Sequence, residues 1–321
     1  MVYECMVSSM QKIDINKAIE IWINQYKKYC GNNNDFPAYW GSKTKEIEKF
    51  LNNKIENNSA IVAKLDNEIV GFLAYDKFPF NGENSAFCPA IGHGSTDEYK
   101  ESVYISLYKS ISQEWINKGI LNHMWTIFYN DIELKDILFD LGYGSYLIDA
   151  FSGLNIKSDS DCVCKIRKAA FEDINTLYEL VEESKEYYQS APLFLKRDRV
   201  LKEEISEIIS KGNVFIAWDK GTAVGFINLS IAKNNNPIDM SIGNCGLIDE
   251  IGAYVKFEYR GRKVGKKLLE NIREYCSLNN ISCIHVDFET ANFYANKFWR
   301  KYFNPMLLSM RRNINKNIND L

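Results

Sequence analysis

The sequence predicts an α/β (α+β) fold built twice, as two tandem domains, and three observations carry that prediction. The first is size: 321 residues, 46% hydrophobic and 25% charged, suffice for two cores of roughly 150 residues each. The second is internal similarity. Residues 61–74 read IVAKLDNEIVGFLA and residues 214–227 read VFIAWDKGTAVGFI. Both are apolar strands that turn at an Asp and resume through Val-Gly-Phe. The third is that each half shows the same order of periodic segments.

Taken along the chain, Asp14-Ile15-Asn16 opens an apolar-periodic helix through Ile19, Trp22, Ile23 and Tyr26. Asp173-Ile174-Asn175 does the same ahead of Leu177, Leu180 and Val181. In each copy the Asp is placed to cap the helix N-terminus. A two-stranded hairpin follows in each half, 60–65 with 68–77 and 213–218 with 222–231. The second half then reads as strand Leu247–Val255, helix Val264–Leu278, strand Cys283–Phe288, helix Ala291–Lys301 and strand Leu307–Arg311. The stretch NIKSDSD, residues 155–161, is polar and aperiodic. It divides the chain into domains 1–157 and 158–321.

Composition narrows the function classes. Net charge is -3, whereas nucleic-acid binders usually carry a basic domain; a cationic or amine-bearing partner fits better. No basic-then-apolar leader and no apolar run near ~20 residues is present, so no membrane partner is expected. The eight cysteines are scattered and none has zinc spacing. No metal is expected, and reduced thiols suit a cytoplasmic protein.

One stretch carries chemistry. EYRGRKVGKKLL, residues 258–269, follows the strand ending at Val255 and opens a helix with Val264, Leu268, Ile272 and Cys276 on one face. Unpaired amides and the positive dipole end at a helix start attract anions. Gly261 and Gly265 remove side chains from the approach. Arg260, Arg262, Lys263 and Lys266 add charged donors. A pyrophosphate suits the arrangement; by composition alone the stretch would be a solvated basic helix start.

This stretch resembles the signature of the GNAT (GCN5-related) N-acetyltransferases, Arg/Gln-x-x-Gly-x-Gly/Ala. Arg260 fills the first place and Gly265 the last, while Lys263 replaces the middle glycine. Asn292-Phe-Tyr-Ala295-Asn-Lys-Phe298-Trp299 resembles the family's Asn-x-x-Ala-x-x-Leu-Tyr. The resemblance implies two GNAT-like domains, each a mixed, largely antiparallel central sheet flanked by helices. It further implies that residues 260–266, Val264 included, hold the pyrophosphate of acetyl-CoA as co-substrate. Asn292 would bond the pantetheine arm, and Trp299 would line the site. The family transfers acetyl directly to an amine in a ternary complex. The backbone donor polarising the thioester falls at Tyr254 or Val255.

Glu250 is the favoured base, beside Asp249, with Asp287 and Glu289 behind them. Trp299 occupies the place of the family's tyrosine, and an indole does not protonate a thiolate. Tyr302 or Tyr294 is therefore the expected acid, or the thiolate takes its proton from water. In the first half the corresponding turn, Pro89-Ala-Ile-Gly-His93-Gly-Ser-Thr, has no cations; that half is expected to be a degenerate copy. His93, His123 and His285 are expected to be structural. The acceptor is a small-molecule or peptide amine, with roughly 187–195 and 234–242 around it, and the protein a monomer or homodimer. The alternatives are a catalytically retired acyl-CoA-binding or protein-interaction module, and an aminoacyl or peptidyl transferase, which the acidic balance and the CoA-type turn disfavour.

Overall fold

The computed structural model describes residues 4–31, 33–155, 162 and 164–318. The chain forms two compact units. The expected cut at 157/158 lies outside the described residues, and the units divide differently. The first comprises Met1–Asp149 with Asn236–Met240 and Pro305–Leu321; the second comprises Ala150–Asn235 and Ser241–Asn304. No described helix is long and apolar enough to cross a membrane.

The first unit runs β1 (Met6–Ser9), α1 (Ile15–Cys30), α2 (Thr44–Glu56), β2 (Ala60–Leu65), β3 (Glu68–Ala74), β4 (Asp76–Phe80), β5 (Glu83–Cys88), β6 (His93–Ser95), α3 (Lys100–Asn117), β7 (Asn122–Phe128) and α4 (Ile132–Asp140). β8 (Gly144–Ser152) leads into the second unit. There follow β9 (Lys165–Lys168), α5 (Ile174–Gln189), α6 (Lys202–Ser210), β10 (Val214–Asp219), β11 (Thr222–Asn228), β12 (Ser230–Ile231), β13 (Gly246–Ile248), β14 (Ala253–Val255), α7 (Val264–Leu278), β15 (Ile284–Glu289) and α8 (Phe293–Tyr302). The final strand, β16 (Asn304–Asn313), was expected to complete the second domain. It instead runs antiparallel to β7, with Leu307 opposite Phe128. Met306 to Met310 are buried, and a strand buried on both faces carries no mark of its partner in its pattern.

Both hairpins form, each with a register shift at the same place, Ala63/Lys64 and Ala217/Trp218. The repeated Val-Gly-Phe has a packing cause. A Cβ on Gly71 would lie 2.9 Å from the Gly94 carbonyl oxygen on β6, and one on Gly225 would lie 2.6 Å from that of Tyr254 on β14. Only glycine lets these strands approach so closely. The repeated Asp acts differently from the expected helix cap. Asp14 accepts from the Gln11 amide (2.7 Å) and Asp173 from the Ala170 amide (2.8 Å). Each closes the short 3-10 turn before its helix, and Asp173 also takes both arms of Arg167 (2.6 and 2.8 Å).

In the second unit the order β14-β11-β10-β9 forms one sheet. α5 and α6 pack Leu177, Leu180, Val181, Ile205, Ile208 and Ile209 against Val214, Ile216, Phe226 and Tyr254. The predicted α7 face, Val264, Leu268, Ile272 and Cys276, is buried.

Candidate functional site

The continuous strand expected over Leu247–Val255 is two strands. β13 lies between β12, antiparallel, and β15, parallel, with Leu247 opposite His285. A turn at Asp249–Gly252 follows, with Glu250 (φ 56°) and Gly252 (φ 68°) in the left-handed region. Its continuation β14 joins β11 instead, Tyr254 opposite Phe226. Among the described residues no ladder joins β14 to β15. The two strands therefore part after Asp249, leaving a gap in the ladder, and the chain runs on from β14 to the start of α7.

The pairing decides which amides face that gap. Asn228 donates to the Gly252 carbonyl (2.8 Å) and Lys256 donates to that of Val224 (3.0 Å). Residues 252, 254 and 256 thus turn their backbone groups to β11, and alternation turns the N–H groups of Ala253 and Val255 away from it. The Val255 amide, one of the two expected donors, faces away from β11. Tyr254 does not supply a gap-facing amide, and its phenol donates to Glu183 (2.9 Å). The Ala253 amide faces the same way, which sequence reasoning missed; the signal was parity along the strand.

Arg260 is turned inward. Its Nε donates to the Val255 carbonyl (3.0 Å). Its guanidinium lies 4.5 Å from the Tyr187 ring centre, 4.7 Å from Tyr294, 5.6 Å from Phe257 and 5.7 Å from Tyr254. It braces the end of β14 within an aromatic box rather than reaching out from the turn. Arg262 and Lys263 are the exposed cations there. Gly261 (φ 79°) and Lys263 (φ 63°) both take left-handed backbone, so the lysine in the family's glycine place adopts the conformation a glycine would. Lys266 lies 3.7 Å from Glu270. Gly265 has a steric reason of its own: a Cβ there would sit 3.1 Å from the Phe298 ring. Val264 is core.

Asn292 is 3% exposed and its Oδ1 accepts from the Ala295 amide (3.2 Å), capping α8, and from the Tyr187 hydroxyl (2.9 Å). The side-chain oxygen is thus committed to the protein. Burial raises the Tyr187 phenol pKa although Arg260 pulls it the other way. Trp299 is 7% exposed, with ring centres 4.8 Å from Phe298 and 5.4 Å from Phe303; it is helix core and not a wall of the site. Tyr302 ends α8, about 15 Å along the helix from Asn292 at 1.5 Å per residue. Its carbonyl accepts from Arg273, well down α7 (3.0 Å). The structure does not bring Tyr302 to the mouth of the gap, whereas Tyr294 lies beside Arg260.

The two adjacent carboxylates separate clearly. Glu250 is exposed and bonded to Lys211 (2.8 Å) and Asn228 (3.1 Å). Asp249 is half-buried at the point where the strands part, and accepts from the Ser230 hydroxyl (2.8 Å). Burial raises its pKa above the ordinary carboxylate value, against the opposing pull of that hydroxyl. His285 is buried with its ring centre 4.9 Å from Phe151. On β15, Asp287 is exposed and Glu289 half-buried. Among the described residues no group of His, Cys, Asp and Glu could hold a metal ion.

The first unit repeats the split, with β5 parallel to β7 and β6 paired to β3. Ser95 opposes Gly71 as Val255 opposes Gly225. There the gap is filled. His93, at the position matching Ala253, donates Nε2–H to the Thr126 carbonyl on β7 (2.8 Å) and accepts from Tyr104 at Nδ1 (2.9 Å). A carbonyl can only accept, which fixes the neutral tautomer. The first residue of α3, Lys100, has a fully buried side chain bonded to Asp131 (2.8 and 2.9 Å) and Tyr29 (2.6 Å). No cation projects from this turn to meet an anion.

Comparison with known proteins agrees with this fold. The acetyltransferase (GNAT) family pattern matches residues 174–304. A GCN5-related N-acetyltransferase from Sphaerobacter thermophilus is similar in fold, with TM-score 0.58 at 11% identity over 96% of this chain and 95% of that one. A fungal GCN5-related glucosamine N-acetyltransferase region, part of a multi-domain GH3 β-N-acetylglucosaminidase, gives 0.53 at 11% identity over 96% of this chain and 38% of that one. No curated protein matches the chain.

Proposed function

We propose that the chain, whose residues 174–304 match the acetyltransferase (GNAT) family pattern, is an N-acetyltransferase that moves acetyl from acetyl-CoA to a primary amine. The observation carrying this reading is the gap between β14 and β15, with two backbone donors on its wall and a cationic helix start at its mouth. The opening amides of α7, with Arg262 and Lys263, hold the pyrophosphate. Arg260 supports the site indirectly by fixing the end of β14.

Asp249 is the base in this reading. It takes the proton that the attacking nitrogen must lose, and a raised pKa makes it a better acceptor at neutral pH than an ordinary carboxylate. The Ala253 and Val255 amides stabilise the oxygen that gains charge as the N–C bond forms. The C–S bond then breaks, and the departing thiolate takes its proton from water, so no side-chain acid is required. The first unit, with its gap closed by His93, holds no cofactor. The tandem arrangement makes the chain's second unit the working copy, in a cytoplasmic protein.

Isothermal titration tests this reading. Acetyl-CoA should bind once per chain, and Arg260→Ala combined with Gly265→Leu should weaken binding at least tenfold, ~1.4 kcal/mol. Two sites would overturn the silence of the first unit. An unchanged dissociation constant would overturn the assignment of the turn, and no binding by the wild type would favour a retired binding module.

A further inference from the structure

We propose that Cys245 and Cys283 form a reversible oxidation site, a dithiol that closes to a disulfide across the start of the β13–β15 pair. The inference does not depend on the acetyltransferase reading.

The placement comes from register. Gly246 of β13 opposes Ile284 of β15 in parallel, and stepping back one residue on each strand sets Cys245 opposite Cys283. Neighbouring strands lie about 4.8 Å apart, inside the roughly 4.4–6.8 Å Cα window that a disulfide spans. The Gly246 amide donates to the Cys283 carbonyl (2.9 Å), which holds this end of the pair together. The two Sγ atoms are 3.0 Å apart. Closing to a bond of about 2.05 Å needs a side-chain adjustment of about 1 Å and no backbone rearrangement.

A third thiol stands close by without competing. Cys276, on the last turn of α7, is fully buried, and burial pushes its thiol up to about 12. It sits on the helix, outside the β13–β15 register that sets Cys245 opposite Cys283. Cys245 is also fully buried, but Cys283 is 8% exposed and follows the exposed Ser282. The chemistry therefore has a direction. Cys283 meets the oxidant first, and Cys245 lies ready to resolve the product.

With glutathione disulfide as oxidant the step balances. Cys283 as thiolate attacks one glutathione sulfur, breaking that S–S bond and releasing a glutathione thiol. Cys245 then attacks Cys283, releasing the second. Two protein thiols become one disulfide, and one glutathione disulfide becomes two thiols. The bond would join the closed ends of the two strands that part four residues later at Asp249. It would pin the hinge end of the gap without entering it.

The test uses the full chain, reduced and then exposed to glutathione disulfide, with peptide mapping by mass spectrometry. Wild type and Cys276→Ser should lose the mass of two hydrogens in a peptide pair joining Cys245 to Cys283, reversed by dithiothreitol. Cys245→Ser should stop at a glutathione adduct on Cys283. A bridge that includes Cys276 would overturn the proposal. So would glutathione on the more exposed Cys162 of wild-type protein while Cys245 and Cys283 remain thiols. Should Cys245→Ser fail to fold, the wild-type and Cys276→Ser maps still decide.

Discussion

Burial separates two residues that the sequence presents as equals. Asp249 and Glu250 are neighbours of one charge type, yet one is half-buried with a raised pKa and the other is exposed on Lys211. Asp249→Asn should therefore lower turnover at pH 7 by at least tenfold (about 1.4 kcal/mol), while Glu250→Gln should leave it near wild type. Wild-type kcat should rise with pH through the Asp249 pKa, since only the ionised form takes a proton. Equal rates for Asp249→Asn and wild type at saturating amine would remove it as the base. Lys263 poses a different question. Left-handed backbone costs a non-glycine residue roughly 1 kcal/mol, and Lys263 has φ 63°. Lys263→Gly should raise stability by a similar amount and bind acetyl-CoA no more weakly; a lower melting temperature would mean that the turn carries no such strain.

At the scale of elements, periodicity made much of the fold legible. Both hairpins, the buried face of α7 and the helix after β15 were readable because single segments carry them. The breaks were not. Nothing in Leu247–Val255 marks a strand that changes partners midway, because the change is made by the neighbours β11 and β15. Arg260, Lys263 and Gly265 were legible as a motif, but Arg260's inward turn was not, since Tyr187 and Tyr294 come from distant segments. Trp299 was placed by analogy with a motif, and its packing on Phe298 and Phe303 makes it helix core; Tyr302 was named in its stead, and its place at the far end of α8, bonded to Arg273, was not readable from the sequence. The first unit's histidines give an element-level prediction. His93 and His123 have pKa values of about 4, lowered mainly by burial, so the folded state resists protonation that the unfolded state accepts. Their stability contribution is complete above about pH 6.5 and is lost as pH falls toward 4, at ~1.4 kcal/mol per unit for each group. Trp115 and Trp125 lie against these rings, so tryptophan-monitored denaturation at pH 7.5 and 5 should show the loss. Equal midpoints would count against it.

For the whole molecule, the division into units matters more than the division of the sequence. A fragment ending at residue 157 keeps β7 but lacks β16, and with it the Thr126–Ser309 bond (2.7 Å) and the Arg311 contacts to Asn122 and Glu83 (2.6 and 2.9 Å). It also lacks Met240, whose carbonyl receives the buried Trp40 indole (2.7 Å). Residues 1–157 expressed alone should aggregate through the bare β7 edge, as read by light scattering after purification. A soluble, cooperatively melting fragment would show that β16 is dispensable. The same pairing has a consequence in time. Phe128 leaves the ribosome roughly 180 residues before its partner Leu307, a delay on the order of 10–40 s at about 5–20 residues per second. Through that interval the nascent first unit carries an unfinished edge, so its final folding step waits for β16 to emerge.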